Sequence, residues 1–181
     1  RRRGEQAEKL VSVFRDVEAR RAKADDPRLN QLAEDGTAGY RAAALLTKAD
    51  LALQNNNEAA AVAGFKAVAE DGDLPEPYRN LALIRQTTTE FDKLDPATVI
   101  QRMQPLAKAG NPWFASAGEL TAIAYLKQGK PQQAAPIFAA ISKDPNVPET
   151  VRSRAVQMAG ALGVDAVNQA PPAGAAKEVS Q

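Results

Sequence analysis

The chain has 181 residues, and neither cysteine nor histidine is among them. Without cysteine there are no disulfides and no thiolate metal sites; that absence fits any compartment. Without histidine the usual general base near neutral pH is missing, as are the commonest metal ligand and every Ser-His or Cys-His nucleophile pair. Lysine or carboxylate chemistry stays formally open, but no Gly-rich phosphate loop or paired-carboxylate motif accompanies it. We therefore expect no enzyme, no cofactor and no metal. Uninterrupted apolar runs are short of the ~18–20 residues of a membrane span. A net charge of +1 gives no bulk field to attract nucleic acid or anionic lipid. Aromatic residues make up only 5% of the chain.

What remains is 44% hydrophobic residues, much of it alanine. Alanine-rich, aromatic-poor chains favour closely packed helices over sheets, so the expected class is all-α. The clearest unit is Pro112–Pro148, two helices expected at 113–128 and 131–143 around Gly129-Lys130. Gly129 suits the position after a helix end because it tolerates positive φ, and Pro131 suits the first turn of the next helix. Ala117, Ala124 and Ala134 allow close approach, while Tyr125, Ile137, Phe138 and Ile141 fill the space between.

Taken in order, residues 5–24 form an amphipathic helix whose stripe is Ala7, Leu10, Val11, Phe14, Val17 and Glu18. Arg1-Arg2-Arg3 ahead of it reads as a frayed, solvated terminus, since three charges fall short of a polybasic patch. Arg28–Glu34 is a short turn. Helices follow at 38–53, 58–70, 75–91 and from Pro96 on, where Asp95 supplies the cap and Pro105 ends or kinks the pattern. A capping helix spans 149–162. Residues 164–181 lack an apolar stripe and are expected to be disordered. The organisation is thus a 1–34 N-terminal helical segment, a 35–163 repeat domain and a 164–181 tail.

Phe65, Met103 and Phe138 take the same place in three returning helices, at spacings close to the 34 residues of a tetratricopeptide (TPR) repeat. The small or β-branched residue four positions earlier is Ala61, Val99 and Ala134. About three degenerate TPR-like hairpins are expected. In that register Leu46, Asp50, Ile84, Thr88, Glu119, Ile123 and Lys127 line a concave groove, suited to weak contact with an exposed peptide or helix. Whether they form a groove, or are covered as core by residues 5–24 or a neighbouring hairpin, stays open at this level. Trp113 and Phe114, at a helix start between hairpins, read as core filling.

The Asp35-Gly36-x-x-Gly39-Tyr40 entry, the Gly110-Asn111-Pro112-Trp113 entry and Asp144-Pro145-x-x-Pro148 give the chain a narrower likeness. From Asp35 to Leu162 it resembles the TPR-like domain of the membrane-anchored ancillary Sec translocon subunit family of Gram-negative bacteria. The resemblance implies a protein-binding scaffold on the periplasmic face of the inner membrane, tethered by a single transmembrane helix upstream of Arg1. Its implied partners are Sec translocon components, periplasmic chaperones and exported clients, with no nucleic acid. The alternative is a soluble TPR adaptor for cell-division, outer-membrane-assembly or stress-response partners.

Overall fold

The computed structural model describes residues 2–163. The disorder expected of 164–181 and the state of Arg1 lie outside them. The described residues are all-helical, with no strand: α1 Arg2–Glu18, α2 Pro27–Asp35, α3 Ala38–Gln54, α4 Glu58–Glu70, α5 Glu76–Thr89, α6 Pro96–Met103, α7 Phe114–Lys127, α8 Pro131–Ser142 and α9 Glu149–Ala161. A single 3-10 turn, Phe91–Lys93, follows α5. No helix among them is long and apolar enough to cross a membrane. The chain divides into two compact units at Lys93/Leu94, and that boundary falls inside the middle of the three expected hairpins.

In the first unit α1 departs from the sequence reading in three ways. It includes Arg2, whose guanidinium donates to the Asp35 carbonyl, so the N-terminus is tied to the end of α2. It stops at Glu18 rather than at residue 24, because Arg20 turns left-handed at φ 57° and returns the chain so that Ala22 is buried. Its buried side chains are Gln6 and Val13, with Leu10 and Val17 of the expected stripe packed beside them. Val11 and Phe14 are left 57% and 38% exposed. The residues 28–34, expected as a turn, form the full helix α2, opened by the Asp26 carboxylate accepting from Arg28 N–H at 2.9 Å.

Pairs between α1 and α2 run in opposite order along the chain: Arg2 with Asp35, Lys9 with Gln31, and Arg28 with Asp16 at 2.8 Å. The two helices are therefore antiparallel. Arg28 also grips Asp26 at 2.8 Å and donates to Ser12 Oγ, and these contacts hold the Asp16 and Asp26 carboxyls below the usual range. Gln6 Oε1 accepts from both the N–H and the hydroxyl of Thr37 at 3.0 Å, which caps α3 from another helix where Thr37's own side chain does not.

The helices α3–α4–α5 of the first unit and α7–α8–α9 of the second are two copies of one cassette, offset by the 73 residues that separate Phe65 from Phe138. The equivalences hold at the level of individual bonds. Both hairpin turns pass through a left-handed residue, Asn56 (φ 59°) and Gly129 (φ 71°). Each then closes a 2.9 Å bond back to the inner helix, Asn57 N–H to Ala52 O and Lys130 N–H to Tyr125 O. Both connections to the third helix start at an aspartate, Asp71 and Asp144, whose carboxylate accepts from the N–H two residues on at 2.9 Å. Pro-Glu then opens α5 and α9 alike.

The cores match too. Ala49, Ala61, Phe65, Val68 and Ala82 cluster in the first cassette; Ala122, Ala134, Phe138, Ile141 and Ala155 take the same places in the second. Alanine where the helices approach and one phenylalanine between them set the spacing, and burying each phenylalanine contributes about 3 kcal/mol.

Candidate functional site

Among the described residues the large apolar side chains most exposed are Val11, Phe14 and Leu53, all in the first unit. Phe14 and Leu53 line a trough whose walls come from α1 (Phe14, Val17, Glu18) and α5 (Arg85), and whose floor is α3 (Thr47, Asp50, Leu51, Leu53, Gln54). Its volume is about 430 Å³. The trough exists because α1 buries Val13 rather than Phe14, which is one residue, or about 100° of helix, away.

Inside it Asp50 Oδ1 pairs with an Arg85 guanidinium N–H at 3.2 Å, joining α3 to α5. Burial pushes the Asp50 carboxyl up, against the opposing pull of Arg85. The arginine therefore compensates the half-buried charge incompletely.

The second unit carries a corresponding face on α7 and α9. Arg154 grips Glu119 with two bonds, Nε at 3.1 Å and Nη2 at 2.9 Å, and that contact raises the guanidinium's own affinity for its proton. On one side of the pair lies a small apolar cavity of about 170 Å³ bounded by Ile123, Phe138, Ile141, Ala155 and Met158. On the other, Trp113, Val147, Pro148 and Val151 help line an opening of about 510 Å³.

The expected groove residues fall into separate environments. Leu46 and Ile84 are buried; Leu46 belongs to the α3–α4–α5 core, and neither can meet a partner. The groove reading is corrected at these two positions, because the inner helix turns them toward its neighbours. Asp50 lines the trough. Thr88 is exposed, but its hydroxyl donates to the Ile84 carbonyl at 2.8 Å and it does not line the trough. In the second unit Glu119 and Ile123 line the small cavity, whereas Lys127 is exposed and outside it. Phe114 is core, as expected. Trp113 is not: it is half-buried and faces the larger opening.

Sequence reasoning missed Phe14, Val17, Leu53 and Arg85 as site residues. One signal was available. Asp50 and Arg85 are 35 residues apart, as are Glu119 and Arg154, a spacing near the repeat period that joins opposite charges on successive inner helices.

No family model, curated protein or solved structure matches this chain.

Proposed function

We propose that this protein is a TPR-like helical-repeat scaffold that binds other proteins and performs no chemistry. The observation that carries the reading is the first unit's trough, where Phe14 and Leu53 stay exposed around an incompletely compensated ion pair. Exposed apolar groups around a concave surface are the usual basis of peptide or helix docking. The 73-residue recurrence of hairpin, turn and following helix supports a repeat assignment, at about five residues more than two 34-residue periods. The resemblance at Asp35–Leu162 sharpens the setting to the periplasmic face of a bacterial inner membrane. There the scaffold accompanies the Sec translocon and passes exported proteins toward periplasmic chaperones.

The test is affinity purification of the tagged full-length protein from envelope membranes. Recovery of translocon components supports the reading. Fractionation in the cytosol sinks it, and recovery of cell-division or outer-membrane-assembly proteins without the translocon replaces it with the adaptor role.

A further inference from the structure

The trough of the first unit combines three properties that together select an occupant. Its apolar part, Phe14, Val17 and Leu53, continues outward through Val11, one turn before Phe14 on α1. Its charged part is two carboxylates, Glu18 and Asp50, against the single guanidinium of Arg85. That guanidinium is engaged with Asp50 Oδ1 at 3.2 Å, and Glu18 makes no ion pair among the described residues.

We propose that this trough docks a polypeptide segment in which a lysine or arginine lies between bulky apolar residues. The inference rests on the scaffold reading and names the chemistry of its ligand. Apolar side chains laid over Phe14 and Leu53 displace water from Asp50 and Glu18. A neutral apolar segment would therefore bury two under-compensated carboxylates, and an acidic one would add repulsion. Only a segment that brings its own cation covers the trough without that cost. Burial already pushes the Asp50 carboxyl up against the opposing pull of Arg85, so the compensation is short. The groups facing Asp50 in the trough are Glu18 from α1, Thr47 and Gln54 from α3, and Arg85 from α5.

The experiment measures fluorescence anisotropy of short labelled peptides against the full chain. One peptide interleaves lysine with leucine and phenylalanine, a second has glutamate at each lysine position, and a third has glutamine. The lysine peptide is expected to bind at least about tenfold more tightly than the glutamate peptide, with glutamine between, and the gap to narrow at high salt. Glu18→Gln combined with Asp50→Asn is expected to erase most of the lysine preference. Phe14→Ser and Leu53→Ser, both at exposed positions and checked for folding by circular dichroism, are expected to weaken all three peptides. Equal binding of the three, or a preference that survives Glu18→Gln/Asp50→Asn, overturns the proposal. So does a dimer in sedimentation that Phe14→Ser dissolves, because a second copy would then be the occupant. Peptide selectivity without any envelope partner would sink the envelope and translocon setting alone. Partners cross-linked away from Phe14 and Leu53, with no charge preference, would sink this inference alone.

Discussion

The two cassettes share a skeleton and differ in the order of their inner-face residues. On α3 and α5 an apolar pair, Leu46 and Leu81, comes one turn before an ion pair, Asp50 and Arg85. At the equivalent positions of α7 and α9 the ion pair comes first, Glu119 with Arg154, and the apolar pair Ile123 and Met158 follows. The exchange moves the pocket. Where the ion pair comes second, it sits in an open trough; where the apolar pair comes second, it bounds a small apolar cavity. The lesson is that the two cassettes share alanine spacing, one phenylalanine and a Pro-Glu helix start, while their inner faces differ.

The largest test of the shared skeleton is removal of its phenylalanines. Phe65 and Phe138 are both essentially inaccessible, so Phe65→Ala and Phe138→Ala should each cost about 3–5 kcal/mol. Urea denaturation of the two variants checks this; a difference beyond 2–3-fold would mean that the cassettes are not energetically alike.

A smaller effect probes where they diverge. Gly64 stands where the second cassette has Ile137, and a Cβ there would lie 3.0 Å from Ala49 Cβ. By contrast, Ile137 Cγ2 packs 3.3 Å from the Cβ position of Gly118, which leaves it room. Importing the isoleucine as Gly64→Ile should cost about 1–3 kcal/mol through overpacking, read as a lowered melting temperature.

The ion pairs should follow the same logic. Arg85→Met removes the partner of a half-exposed Asp50 and should cost about 1 kcal/mol, whereas Asp50→Ile with Arg85→Met, which copies Ile123 and Met158, should be close to neutral. A double variant as unstable as the single one would show that the trough cannot accept its sister's chemistry.

Arg79 and Arg152 give the smallest contrast. Arg79 Nε donates to the Leu74 carbonyl at 3.0 Å, but the buried Nε of Arg152 has no partner. Arg79→Met should cost about 1 kcal/mol and Arg152→Met less than that, or nothing.

Within the first unit, acid acts on its carboxyls in opposite directions. Asp16 and Asp26 have carboxyls lowered by Arg28, so their contribution is present above the ordinary carboxylate pKa and is lost as pH falls below about 4. Asp50 has the opposite sign: its raised carboxyl favours the folded state as it protonates. Arg28→Met should flatten the fall in melting temperature between neutral pH and pH ~3.

The amino-acid order alone determined the all-helical class, the bounds of α3 to α9 to within a few residues, and both hairpin turns. Those features are local: Asn56 and Gly129 accept positive φ, Asp95 caps α6, and proline starts helices at 75–77, 96, 131 and 148. Phe65 and Phe138 were legible as core because their spacing and the alanines before them recur. Of the candidate site, Asp50, Glu119 and Ile123 were legible from register. The rest was decided in three dimensions. The 6/10/13/17 and 7/10/14/17 faces of α1 share Leu10 and Val17 and differ by a fraction of a turn. Periodicity favours the second because it counts Phe14. The fold takes the first because Gln6 must reach Thr37 and Val13 must fill the space against Leu29, Leu32, Ala44 and Leu51. That choice leaves Phe14 at the surface, and with it the trough: a helix's own sequence lists which residues could be buried, but only the neighbour it packs against selects among them.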